Sequence, residues 1–273
     1  ICYNINSTKY INMKNKFYSL LASSVVFLVS CEKDPEIIYE TITVTETVTE
    51  TVTETVEVQP ATPETQTVGG GGIYFIDDPQ TWTNDRIWIM NGKVVVRDGG
   101  TLTIEAGTII KAEDGQGVDA TALVIAKGGN IVAEGTAESP IVFTDKADEL
   151  SYSNEDRISP NRVSTDTGKW GGVIILGQAT VGEDGGEDTI EGIATGYDWT
   201  MYGGSSDTES SGTLNYVSIR HSGTALGNGD EIQGLTLGGV GSGTTVTNIE
   251  VVGSDDDGIE IFGGTVNVTN LTI

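Results

Sequence analysis

The sequence predicts an all-β chain whose body is a parallel β-helix, a solenoid of short stacked strands. Three observations predict it. From Ile73 onward, short apolar runs such as Val94-Val95-Val96, Leu123-Val124-Ile125, Val173-Ile174-Ile175-Leu176 and Val217-Ser218-Ile219 recur with no helical period between them. The 37 glycines fall between those runs, where tight turns need positive φ. The C-terminal part also echoes itself. Val246-Thr247-Asn248-Ile249-Glu250-Val251 aligns with Val268-Thr269-Asn270-Leu271-Thr272-Ile273 at a shift of 22. Gly234-Leu235-Thr236-Leu237 aligns with Gly258-Ile259-Glu260-Ile261 at a shift of 24. Val217, Ile219 and Ser222 align with Ile249, Val251 and Ser254 at a shift of 32, as if a loop over residues 224–231 were inserted. A helix-free repeat of this length fits stacked coils with inward aliphatic columns.

The elements before the solenoid have their own logic. Residues 1–12 read as an upstream extension, with Met13 as the start. Residues 13–30 read as a lipoprotein signal peptide. Lys14 and Lys16 supply a cationic start, and Phe17 to Val29 is an apolar run of 13 residues, too short for a permanent span. Leu28-Val29-Ser30-Cys31 has the order of a lipobox, so Cys31 is the expected lipidation site. Residues 31–72 then read as a flexible tether, with a β-strand-rich stalk as the rival that the Thr/Val alternation allows. Its Thr-Val-Thr-Glu tract has period four, which is no heptad, and its β-branched residues are poor helix formers. Pro60, Pro63 and Gly69 to Gly72 close it. The folded domain is expected over residues 73–273, cut inside a strand pattern at its C-terminal end.

Within the body, Asn248 and Asn270 fall at matching turns and are expected to form an asparagine ladder, amide to amide between coils. The blocks Leu235-Thr236-Leu237-Gly238-Gly239-Val240-Gly241 and Asp256-Asp257-Gly258-Ile259-Glu260-Ile261-Phe262-Gly263-Gly264, with earlier blocks such as Leu102-Thr103-Ile104-Glu105-Ala106-Gly107-Thr108 and Trp170-Gly171-Gly172-Val173, resemble a family of exported lipoproteins best known from Bacteroidota. The resemblance covers about residues 85–273. It implies a right-handed β-helix of pectate-lyase-like architecture and export. It leaves activity open.

Composition narrows the chemistry. The chain carries 14 basic and 40 acidic residues, a net charge of −26. Three lysines and no acid precede Cys31, so 11 basic against 40 acidic residues leave −29 on the mature part. That sign excludes nucleic acid as a partner and excludes electrostatic docking to anionic lipid. The expected partners are the membrane, through the lipid on Cys31, and a polysaccharide or surface glycan. The expected location is the outer membrane, facing outward. Cys2 and Cys31 are the only cysteines, so the body has no disulfide framework.

Candidate sites follow from residue type. Asp255, Asp256 and Asp257 form the compact acidic cluster of the coils, read first as turn chemistry and second as a Ca²⁺ site. No cofactor is otherwise required. Tyr197, Trp199 and Tyr202 cluster three aromatics in a loop, a candidate sugar-stacking surface or a flap over the solenoid flank. The alternative enzyme reading is a polysaccharide lyase or hydrolase acting on acidic polysaccharide. It would use Arg220 as a base or Asp256 and Asp257 as an acid–base pair. The Gly-His-Gly and Arg-x-Lys elements of the hydrolase pattern are missing, and His221, the sole histidine, reads as a turn residue. The expected role is therefore non-catalytic adhesion, glycan contact or surface structure.

Overall fold

The computed structural model describes residues 39–45, 51–57, 63–193, 196–227 and 230–273. The signal segment and Cys31 lie outside them. The chain forms two compact units, residues 1–59 and 60–273. In the first, Tyr39–Thr45 pairs antiparallel with Thr51–Glu57, in a register running from Tyr39↔Glu57 to Thr45↔Thr51. Part of the expected flexible tether is thus a hairpin. The Thr/Val alternation read there as spacer suits an extended, paired backbone.

The second unit is a parallel β-helix. Each coil visits three parallel sheets in turn, here called A, B and C. The first coil begins at Glu64, earlier than the expected Ile73, because Glu64–Ile76 pairs along Arg86–Val96 from Glu64↔Arg86 to Ile76↔Val96. The polar Glu64-Thr65-Gln66-Thr67 disguises this strand, whose inward residue there is Val68. The glycines read as a spacer serve as its corner. Gly92 in the next coil sits so close to Gly72 that a Cβ would lie 2.2 Å from the Gly72 carbonyl oxygen.

The internal columns are continuous. In sheet B, Val94, Leu123, Val173, Leu235 and Ile259 lie in register. In sheet C the column is Trp82, Ile104, Ala133, Leu214, Val246 and Val268. In sheet A it is Trp88, Ile110, Phe143, Ile219 and Val251. Together they form one core. Each buried aliphatic contributes about 1.5–3 kcal/mol by leaving water.

All three register shifts read from sequence are the pairings found: Val246↔Val268, Leu235↔Ile259 and Val217↔Ile249. The expected insertion is a small hairpin, Thr224–Gly227 with Asp230–Ile232. The corner from sheet C to sheet A is a single left-handed residue in the last three coils: Tyr216 (φ 50°), Asn248 (φ 53°) and Asn270 (φ 55°). The asparagine ladder runs through it. Asn270 Nδ2 donates to Asn248 Oδ1 at 3.0 Å, and Asn248 Nδ2 donates to Asn215 Oδ1 at 2.8 Å.

Longer insertions leave at the other corners and fold back over the outer faces. Residues 146–172 cover sheet A, where Leu150 and Tyr152 pack on Ile87, Ile109 and Val142. Asp145, fully buried, anchors this loop by accepting two bonds from Arg162, at 2.9 and 2.5 Å. Residues 177–211 cover sheet B, where Ile190, Trp199 and Tyr202 pack on Val124, Ile174 and Leu176.

Asn248→Ala removes two ladder bonds and places a Cβ-bearing residue without amide in the left-handed region. It is expected to destabilise the solenoid by about 2–3 kcal/mol. Urea unfolding of the variant against wild type measures this, and a change under about 0.5 kcal/mol would refute a stabilising ladder.

Candidate functional site

The alternation of sheet A sends Val217, Ile219 and Ile249 inward and Ser218, Arg220 and Glu250 outward. There the insertion over residues 146–172 and the turn over residues 135–140 stand apart and leave a recess of about 470 Å³. Arg157, Tyr216, Ser218, Arg220, Asn248 and Glu250 line it. Three of the five non-glycine residues with positive φ among the described residues sit on its wall: Arg157, Tyr216 and Asn248. Such strain concentrates where the surroundings over-determine the backbone, functional sites among them.

The floor is a hydrogen-bonded set. Ser218 Oγ donates to Glu250 Oε2 at 2.5 Å. Arg220 donates through Nε to Ser218 Oγ at 2.8 Å and through Nη1 to the Arg157 carbonyl at 2.6 Å. Its Nη2 lies 3.4 Å from Glu250 Oε2. Arg157 arrives from the loop. Its guanidinium lies over the Tyr152 ring, 5.3 Å from the centroid. Tyr152 is itself pinned, donating its hydroxyl to the Arg86 carbonyl at 2.8 Å. Burial, reinforced by neighbouring Arg220, pulls the Arg157 guanidinium below its ordinary pKa. Its Nη1 is buried with no hydrogen-bond partner among the described residues.

The aspartates take other roles. Asp255 Oδ1 accepts from Thr167 Oγ1 at 2.9 Å, and the Asp255 amide donates to the Ser222 carbonyl at 2.9 Å. Both bonds are long-range, to the insertion and to the preceding coil, and neither is the local self-capping read from the sequence. Asp256 and Asp257 face Glu231 and Glu260. Among the described residues no three His, Cys, Asp or Glu side chains gather in a way that could hold a metal ion. His221 is buried in a left-handed corner (φ 59°), with Nδ1 2.8 Å from the Asp166 carbonyl oxygen. That is the turn role its position suggested.

The aromatic trio divides. Trp199 and Tyr202 are 7% and 3% exposed and belong to the layer over sheet B. Tyr202 packs on Phe262, with centroids 5.9 Å apart, and burial pushes its phenol up to about 12. Tyr197, stacked on Trp199, is the one member left exposed. The trio is therefore chiefly a flap, because insertion 177–211 needs apolar side chains to seat on the flank.

A second acidic group was hidden in the sequence. Glu260 points outward from the Ile259-Glu260-Ile261 strand, and Glu191 reaches it from insertion 177–211. Burial first, then Glu191, Asp257 and Asp256, push the Glu260 carboxyl up to about 7. Glu231 is raised too, chiefly by Asp256. Strand alternation reveals Glu260 as outward. Nothing local reveals the loop residues Glu191 and Arg157.

A family model described as a pectate-lyase like beta helix domain matches residues 75–273. No curated protein and no solved structure matches the chain.

The raised Glu260 pKa has a signed consequence. The folded state holds this proton while the unfolded chain, at 4.5, releases it, so the group favours folding at low pH. That contribution is lost as pH rises through about 7. Glu260→Gln is therefore expected to leave the thermal midpoint unchanged at pH 4 and raise it at pH 8. Heat scans at both pH values check it, and an equal effect at both would remove the carboxyl strain from the account.

Proposed function

Because the chain belongs to the pectate-lyase-like β-helix family, we propose that it is a lipid-anchored, outward-facing β-helix that contacts glycan or matrix without cleaving it. One observation carries this reading: Arg220, the side chain on which lyase chemistry would rest, is already engaged. A lyase base must present a free lone pair to the proton beside a uronate carboxylate. Arg220 is tied to Ser218, the Arg157 carbonyl and Glu250. His221 is buried on a carbonyl, and Asp255 is bonded to Thr167. What the recess offers instead is a fixed set of donors and acceptors beside an aromatic edge, the composition of a sugar-contact surface.

The lipobox ending at Cys31 supports anchoring, and the acidic segment Glu32-Lys33-Asp34-Pro35-Glu36 supports display on the outer face of the outer membrane. The charge of the mature part keeps the domain off anionic surfaces, so membrane contact runs through the lipid alone. The reading needs no cofactor.

One observation favours a second reading, a glycoside hydrolase. Burial and its carboxylate neighbours push Glu260 up to about 7, and a carboxyl that keeps its proton near neutrality is what a general acid requires.

The full chain, incubated with a panel of acidic and neutral polysaccharides, is expected to be retained on a glycan and to release nothing. New reducing ends abolished by Glu260→Gln would establish the hydrolase, and unsaturated products abolished by Arg220→Ala would establish a lyase.

A further inference from the structure

The three outer faces of the solenoid differ. Insertions bury outward residues of sheets A and B under apolar layers. Sheet C keeps its outer face in water. Strand alternation sends one residue per coil outward there, in a registered column of Thr81, Thr103, Val132, Thr213, Thr245 and Asn267. All six remain exposed or half-buried. Beside this column, Thr101 pairs with Asn130 on one side. On the other side Glu134, Asn215, Thr247 and Thr269 follow one another from coil to coil.

We propose that the outer face of sheet C binds ice, with the column from Thr81 to Asn267 at the centre of the contact. The face is a two-dimensional grid. Paired strands lie about 4.8 Å apart, and outward residues along one strand recur about every 6.6 Å. Hexagonal ice repeats its water oxygens at spacings close to both. The hydroxyls keep phase from coil to coil: Thr269 Oγ1 donates to Thr247 Oγ1 at 2.8 Å. Each threonine offers a hydroxyl that donates and accepts, and a methyl beside which water loses orientational freedom. β-Branching holds χ1 to few rotamers, so the grid is presented with little entropy left to lose.

Composition disfavours other occupants. The chain carries a net charge of −26, yet Glu134 is the one charged side chain at these paired positions. Rows of charge that would match an ionic mineral or a basic partner are missing from them. No aromatic stands at these positions, so the face has neither a platform for stacking a sugar ring nor the anchors of a protein interface. An uncharged, periodic, hydrogen-bonding solid is what fits. The face lies on a different sheet from the recess, and its assignment stands without the glycan-contact reading.

Nanolitre osmometry of the full chain tests this, together with its partition into a slowly growing ice hemisphere. The chain is expected to open a gap between melting and freezing points, to shape the crystals and to enter the ice. Thr213→Tyr, which raises a ring from the middle of the grid, should abolish the gap while leaving the thermal midpoint unchanged. Glu134→Thr, at an exposed position, removes the one charge and should widen the gap even if the tyrosine variant does not fold. No gap with exclusion from the ice, or a gap unmoved in either folded variant, would overturn the proposal. So would a two-fold association in solution that Thr213→Tyr dissolves, since the face would then belong to a second copy of the chain.

Discussion

The structure depends on one constraint: each coil must lie on the last in parallel register. The ladder at Val217↔Ile249 and Ile249↔Leu271 does two things together. It pairs the backbone of one coil with the next, and it sets aliphatic over aliphatic inside. A slip of one residue would turn every inward side chain outward. The basic coil is therefore held near 22 residues, and extra residues are tolerated only where the chain departs from a corner and returns to it. Close-packed corners such as Gly92 over Gly72 enforce that return.

The place of the recess follows from this constraint. Insertions cannot enter the columns, so they fold back onto the outer faces of sheets A and B and bury them. The outward face of sheet A stays open where the loop over residues 146–172 stops short of the turn over residues 135–140. The buried Asp145–Arg162 pair fixes that loop. Removing one partner of such a pair costs about 3–5 kcal/mol, so the pair holds the base of that loop in place. The same folding-back crowds Glu191 against Glu260, a cost of closure that the interior columns absorb.

What was legible in the sequence is what repeats. The shifts of 22, 24 and 32 residues are the actual pairings, and the ladder of Asn248 and Asn270 is formed and extended to Asn215. The turn role of His221 was legible because the left-handed corner it occupies is set locally. The start at Glu64 was not, since a first coil with one inward Val68 among polar residues looks like linker. The flap role of Trp199 and Tyr202 was legible as one of two readings of an aromatic cluster, and their burial selects it. Arg157 and Glu191 escaped for a stricter reason. Both lie in insertions without period, and their neighbours are set by where a loop lands.

Family membership consequently bears on function less than it bears on fold. The inward positions of every coil face the same demand, an aliphatic or aromatic that fills its column, and they look alike whatever the solenoid does. The outward positions face no shared demand. Ser218, Arg220 and Glu250 occupy places in sheet A that any polar residue would satisfy structurally, yet they form one connected hydrogen-bonded set. Chemistry on such a scaffold is written in the outward residues of a few adjacent coils and in the loops that land beside them. The engaged state of Arg220 therefore carries more weight in reading this chain than the architecture it shares.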